Sequence, residues 1–241
     1  MGGLRRLTPV NRHFGLGRGT PVDRYYIDEF VRRYGTDRIR GRVLEVGERL
    51  YVREPGAFAV REDPASLPPV RAGVEQVDVL DVSTSNPEAT IVADLGDREA
   101  QLPEDAFDCI LCIQVLQFVY GLREALENLH RALRPGGSLL VTVPGISQVA
   151  APEVIVSPGL GSADYDDALR DFWRLTRDSA AALCGEVFGP GNVIVESYGN
   201  VLASIAFLHG MTVEELRAEE LAHNDPGYPL LVGICATKPS R

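Results

Sequence analysis

The chain has 241 residues, 45% hydrophobic and 24% charged, the balance of a soluble globular protein long enough to bury a full core. Its net charge of −10 argues against a nucleic-acid partner, because neutralising phosphates takes clustered Lys and Arg. No apolar run approaches the roughly 20 residues of a membrane span, and MGGLRRLTPVNRHFG lacks the apolar stretch of a secretory signal, so the expected location is cytoplasmic.

Residues 1–20 are rich in Gly and Arg and show no periodicity. Arg5, Arg6, Arg12, Arg18, Arg24, Arg32 and Arg33 are interleaved with acids and apolar positions, the pattern of a solvated face. In PVDRYYIDEFVRRYG, Ile27, Phe30, Val31 and Tyr34 fall at helical spacing, with Asp23 as the expected N-cap and Gly35 as the stop. RVLEV (42–46) is a short apolar run bounded by glycines, hence a strand buried on both faces. Glu54 to Pro69 reads as loop. VDVLDV (77–82), ATIVAD (89–94) and FDCILCI (107–113) are the next strands. GLREALENLHRALRPGG is an amphipathic helix with Leu122, Leu126, Leu129 and Leu133 on one face, ended by Pro135-Gly136-Gly137. SLLVTVPG (138–145) is a further strand.

The stretch 146–170 is long for a compact domain and is expected to cover something. TRDSAAALCGEVFG reads as a helix starting near Thr176 or Asp178, NVIVESY (192–198) as a strand and NVLASIAFLHG as a short helix. The Thr212…Glu215 pair has the spacing of a capping box, and PLLVGICATK (229–238) closes the chain as a strand. Cys109 and Cys112 form a CxxC, but positions three apart on a strand point to opposite faces, so the two thiols are read as small buried hydrophobes. Alternating strands and helices predict a single three-layer α/β domain with a mostly parallel sheet.

In such sheets ligands bind beyond the carboxyl ends of the strands. Glu45 and Gly47 mark the end of the first strand, Asp81 the second, Asp94 and Leu95 the third, and Ile113, Gln114 and Gln117 the fourth. Carboxylates on adjacent strand ends suit a ligand with vicinal hydroxyls and an exocyclic amine. Taken singly, each Asp also fits a loop or helix cap.

From Gly41 to Gly145 the chain resembles the class I S-adenosylmethionine-dependent methyltransferases of the small-molecule branch. The match is strongest in LPEDAFDCILCIQVLQFV…LREALENLHRALRPGGSLLVTVPG, about 45 residues. RGTPVDRYYIDEF, DFWRLT and YGNVLASIAFLHG look like segments of bacterial methyltransferase-domain proteins found with glycosyltransferases or in natural-product pathways. The resemblance implies a Rossmann-like seven-stranded sheet with the last strand antiparallel. It also implies an N-terminal helical cap (1–40), a cofactor half (41–145) and a substrate half (146–241) with a lid over 146–176. It implies S-adenosylmethionine as cofactor and S-adenosylhomocysteine as product. Glu45 and Gly47 match the acid and first glycine of the cofactor loop, Asp81 the ribose acid, Asp94 and Leu95 the adenine pair. Ile113 and Gln114 match positions at the methionine end, and Gln117 one that often faces substrate. The family reads Glu-x-Gly-x-Gly-x-Gly, whereas here Arg49 and Tyr51 replace the second and third glycines; Arg49 is counted with the cofactor-binding positions.

Methyl transfer from a sulfonium is an in-line displacement in which orientation and water exclusion carry much of the acceleration. A hydroxyl acceptor also needs a base. Of His13, His130, His209 and His223, only His13 lies in the segment that covers the cofactor in this fold, and it is the one base candidate. Trp173 and Arg174 in ADYDDALRDFWRLT, with Tyr165, Asp166, Asp167 and Asp171 close by, fall where the fold builds its lid; an anchoring role for Trp173 is the alternative. Tyr25 and Tyr26 are expected to wall the same cavity, with core packing the better role for one. The expected activity is methylation of a sugar or natural-product intermediate, O-directed, by a protein whose partner is a small molecule and which is open to homodimer formation. The competing expectation is a fold kept without methyl transfer: a cyclase or other non-methylating enzyme, or a regulatory partner.

Overall fold

The computed structural model describes residues 5–61, 63–150 and 170–240. Seven strands form one sheet in the order β3-β2-β1-β4-β5-β7-β6: β1 (Gly41–Val46), β2 (Val74–Asp81), β3 (Ile91–Val92), β4 (Phe107–Ile113), β5 (Leu133–Pro144), β6 (Val193–Tyr198) and β7 (Leu231–Thr237). β7 runs antiparallel between β5 and β6, and the other pairings are parallel. This is the expected seven-stranded arrangement. The strand order reverses between β1 and β4, where a crevice opens above their carboxyl ends.

Helices cover both faces. α2 (Leu122–Ala132) and α3 (Arg177–Phe188) pack with Leu44, Ile110, Cys112 and Leu139 on one side. α1 (Val22–Gly35) and α4 (Val201–Leu208) pack with Val43, Cys109, Leu111 and Leu140 on the other, and α5 (Ala218–Ala222) adds Leu221 there. Cys109 and Cys112 thus belong to opposite core layers, and burial pushes both thiols up, Cys112 to about 12.

Three local expectations need correction. Asp23 does not cap α1: the helix begins at Val22 behind Pro21, without a side-chain cap, and Asp23 is buried in its first turn. Gly35 ends α1 without a left-handed turn; Thr36 continues in right-handed geometry, and the absent side chain makes room for Ile39, whose Cδ1 would lie 2.6 Å from a Cβ there. The helix before the Pro-Gly-Gly run stops at Ala132, and extended pairing begins at Leu133, because Pro135 disfavours helical geometry just before it. The Thr176 cap of α3 is present, and the Thr212–Glu215 box forms around a single 3-10 turn.

Among the described residues no α-helix connects β1 to β2, β2 to β3 or β3 to β4. Between β1 and β2 the helical turns are 3-10, at Ala57–Val60 and Pro64–Ser66. Among the described residues, no helix is long and apolar enough to cross a membrane.

Candidate active site

A cavity of about 1060 Å3 opens at the β1/β4 switch point. Its walls include Glu45, Gly47, Asp81, Asp94, Leu95, Ile113, Gln114, Gln117, Trp173 and Arg174, so ten sequence-nominated positions converge on one space.

Glu45 is 1% exposed at the end of β1. Its carboxylate accepts backbone N–H bonds from Leu50 (2.9 Å), Tyr51 (2.6 Å) and Val52 (3.0 Å). One side chain thereby curls the loop that lacks glycines at 49 and 51. Burial pushes the Glu45 carboxyl up to about 7, against the opposing pull of those three amides. Gly47 opens the loop at a position that favours glycine: its φ is +90°, and a Cβ there would meet no protein atom within 4 Å. Arg49 is exposed and stands outside the cavity lining, because the turn held by Glu45 directs it away. Tyr51 turns inward, its hydroxyl accepting from Arg24 Nη1 at 3.0 Å.

Asp81, 6% exposed, closes β2. Its Oδ1 accepts from Ser83 N–H (2.9 Å) and its Oδ2 from Asn86 Nδ2 (2.8 Å). The same Asn86 amide reaches the Gly47 carbonyl at 2.8 Å, tying the two strand ends together. Asp94 is exposed at the rim, its Oδ1 accepting from Gly96 N–H (2.8 Å), with buried Leu95 beside it. Gln114 sits just past β4 with φ +57°, a left-handed backbone rare for a side chain of its size. Its carbonyl accepts from Gln117 Nε2 at 2.9 Å, which leaves Gln117 Oε1 buried without a partner on the cavity wall.

The 170–176 stretch forms another wall. Trp173 donates from Nε1 to the Val119 carbonyl (3.0 Å) and stacks on Tyr120. Arg174 bonds the Gln148 carbonyl (2.7 Å) and pairs with Asp171, which also accepts from Ala150 N–H at 2.8 Å. Arg174 fastens two segments together and Trp173 anchors the stretch, while both also line the cavity. Tyr165, Asp166, Asp167 and the rest of 151–169 lie outside the described residues.

Two expectations fall elsewhere. Tyr25 and Tyr26 line a separate cavity of about 400 Å3 with Glu29, Arg33, Glu196 and Tyr198; Tyr26 is 3% exposed and donates to the Leu221 carbonyl at 3.0 Å. Asp23 and Arg24, one turn or less away on the same helix, line the main cavity instead. His13 is exposed and outside the main cavity lining. Sequence reasoning missed Asn86, whose only cue was the polar run after β2, and Asp23 and Arg24, read as a cap and a solvated cation. Arg24 instead lies over Phe58, 4.2 Å from its ring centroid.

Residues 70–141 match the model of a family described as a methyltransferase domain. No curated protein matches the sequence. Among solved structures, 1,6-didemethyltoxoflavin-N1-methyltransferase of Burkholderia thailandensis, with 1,6-didemethyltoxoflavin and S-adenosylhomocysteine bound, is 14% identical; the alignment covers 90% of this chain and 80% of that one at a TM-score of 0.50. Phosphoethanolamine N-methyltransferase 2 of Haemonchus contortus, in complex with S-adenosyl-L-methionine, is 17% identical at a TM-score of 0.48, covering 90% of this chain and 53% of that one. This chain therefore spans about half the length of that enzyme. The [4+2]-cyclase SpnF is 16% identical at a TM-score of 0.49, with 97% of this chain and 89% of that one covered. Identity at this level speaks to fold alone. The matched segment and the 3-2-1-4-5-7-6 sheet agree: the fold is that of class I methyltransferases, and residues 70–141 of it are similar to a methyltransferase domain.

Proposed function

We propose that this protein is an S-adenosylmethionine-dependent methyltransferase acting on a hydroxyl of a small molecule, a sugar or natural-product intermediate. The observation that carries the reading is the convergence of Asp81, Asp94, Gly47 and Gln114 on one cavity at the strand-order reversal. At about 1060 Å3 it lies at the top of the range for small-molecule sites, room for a nucleoside cofactor and a small acceptor together. Open space beside Gly47 and the Asp81 carboxylate on the cavity wall fit that cofactor.

When bound, the cofactor supplies an electrophilic methyl group on a sulfonium. Asp81 would accept from the ribose hydroxyls, with Asn86 fixing its orientation, and Asp94 with Leu95 would frame the adenine. Residues 41–145 would hold the cofactor, while the 1–40 cap and the 146–241 half would close over the acceptor. Gln117 Oε1 would accept from the acceptor's O–H and orient it, and Trp173 with Tyr120 and Phe172 would exclude water.

Calorimetric titration with S-adenosylhomocysteine tests this. The expected result is micromolar binding, weakened about a hundredfold by Asp81→Ala and less by Asp94→Ala, since hydrogen bonds to a charged group contribute about 1.5–3 kcal/mol each. No binding at millimolar ligand would sink the proposal. The lack of an α-helix among the described residues between β1 and β2 favours one second reading, a protein of this fold that does not transfer methyl, as a cyclase or a regulatory partner. Tight binding with no methylated product from any hydroxyl or amine acceptor would favour it.

A further inference from the structure

Dinucleotide and nucleoside folds meet an anionic ligand group after their first strand with a glycine loop and a helix N-terminus. Here the described residues between β1 and β2 provide no such helix. A cation reaches the same wall from another part of the chain. Arg24, in the first turn of α1, donates to the Tyr51 hydroxyl at 3.0 Å and lies 4.2 Å over the Phe58 ring; Arg61 lies over the same ring at 4.0 Å. The buried Nε of Arg24 has no hydrogen-bond partner.

The neighbouring side chain has the opposite need. Asp23 is 8% exposed, its Oδ1 has no hydrogen-bond partner, and that oxygen stands 3.9 Å from Arg24 Nε, an ion pair too long to be a hydrogen bond. Burial pushes its carboxyl up from its ordinary value, with Arg24 opposing. Asp23, Arg24, Tyr51 and Phe58 all line the cavity beside Gly47 and Glu48. A buried acceptor and a buried donor of opposite charge, about 4 Å apart on a cavity wall, are complementary to a group carrying an ammonium and a carboxylate on one carbon.

We propose that the first turn of α1 is the receptor for the α-amino-acid end of the cofactor, Arg24 taking its carboxylate and Asp23 its ammonium, in place of the helix N-terminus that the described residues between β1 and β2 do not provide. The assignment rests on the reading of the cavity as a cofactor site, and it makes the N-terminal helix part of the binding machinery.

The test compares S-adenosylhomocysteine with 5′-methylthioadenosine, which keeps the nucleoside and lacks the amino-acid end, by titration calorimetry on the full chain. The wild type is expected to prefer S-adenosylhomocysteine. Arg24→Met should weaken it roughly tenfold to a hundredfold, the range of one charge-assisted bond or a little more, with 5′-methylthioadenosine unchanged within about twofold. Asp23→Asn, nearly isosteric, should act in the same sense and serves if Arg24→Met melts early. Equal loss of both ligands in these variants, or loss of neither, overturns the receptor. Equal wild-type affinity for both ligands overturns it while leaving the cofactor cavity standing. Binding of neither ligand by the wild type overturns the cofactor reading itself.

Discussion

Glu45→Ala is expected to lower stability by about 3 kcal/mol or more and to abolish S-adenosylhomocysteine binding. The side chain is 1% exposed and is the acceptor for three consecutive backbone amides, at Leu50, Tyr51 and Val52. Each buried amide left without a partner costs about 1–3 kcal/mol, so the loop must either suffer that loss or open to water. Opening it carries Tyr51 away from Arg24 and removes the wall beside Gly47. Thermal melts and titration calorimetry check both halves. A variant that melts normally and still binds would show that the loop is held by something other than this carboxylate.

The same residue sets a pH dependence. Its folded-state carboxyl is raised from 4.5 to about 7 by burial, so its stabilising contribution is full below about pH 4.5 and is lost as the pH rises through 7. Glu45→Gln has nothing to titrate there. Its amide can keep the bonds to Leu50 and Tyr51 but faces Val52 N–H with a donor. The stability advantage of the wild type over Glu45→Gln is therefore expected to be largest below about pH 4.5 and to shrink toward pH 8, by about 3 kcal/mol at most. Chemical denaturation at several pH values measures it, and an advantage that grows with pH would contradict the assignment.

The sheet was legible because its signals are local: uninterrupted apolar runs, glycine stops and the CxxC whose two thiols enter opposite core layers. The ligand-facing strand ends followed from the order of elements, since a parallel sheet puts them on one side. The β1–β2 loop was harder to read. Glycines missing at 49 and 51 are visible in the sequence, but the compensation is a side chain five to seven residues upstream, and hydrogen bonds of that reach have no spacing rule. Arg24 and Asp23 were missed for a related reason. A charged pair at a helix start reads as a cap and a surface residue unless the fold turns that end over a cavity.

Phe30 is among the largest side chains that seat α1 on the sheet, which makes Phe30→Ala the second large effect. Phe30 is fully buried, lies 5.2 Å from the Tyr34 ring and 6.2 Å from the Tyr198 ring, and rests on Gly233 of β7, where a Cβ would approach its Cδ2 to 2.5 Å. Truncating a buried Phe costs about 3–5 kcal/mol, a fall in Tm of roughly 6–20 °C for a domain of this size. Asp23 and Arg24 ride on the same helix, so the affinity for S-adenosylhomocysteine is expected to drop more than that for 5′-methylthioadenosine. Gly233→Ala should destabilise by about 1–3 kcal/mol through overpacking in the wild-type background. In the Phe30→Ala background the obstructing ring is gone and the added methyl enters vacated space, so the double variant is expected to be more stable than the sum of the single effects by about 0.5 kcal/mol or more. Strict additivity would mean that position 233 is kept clear by the sheet itself and that α1 takes its seat from contacts other than Phe30.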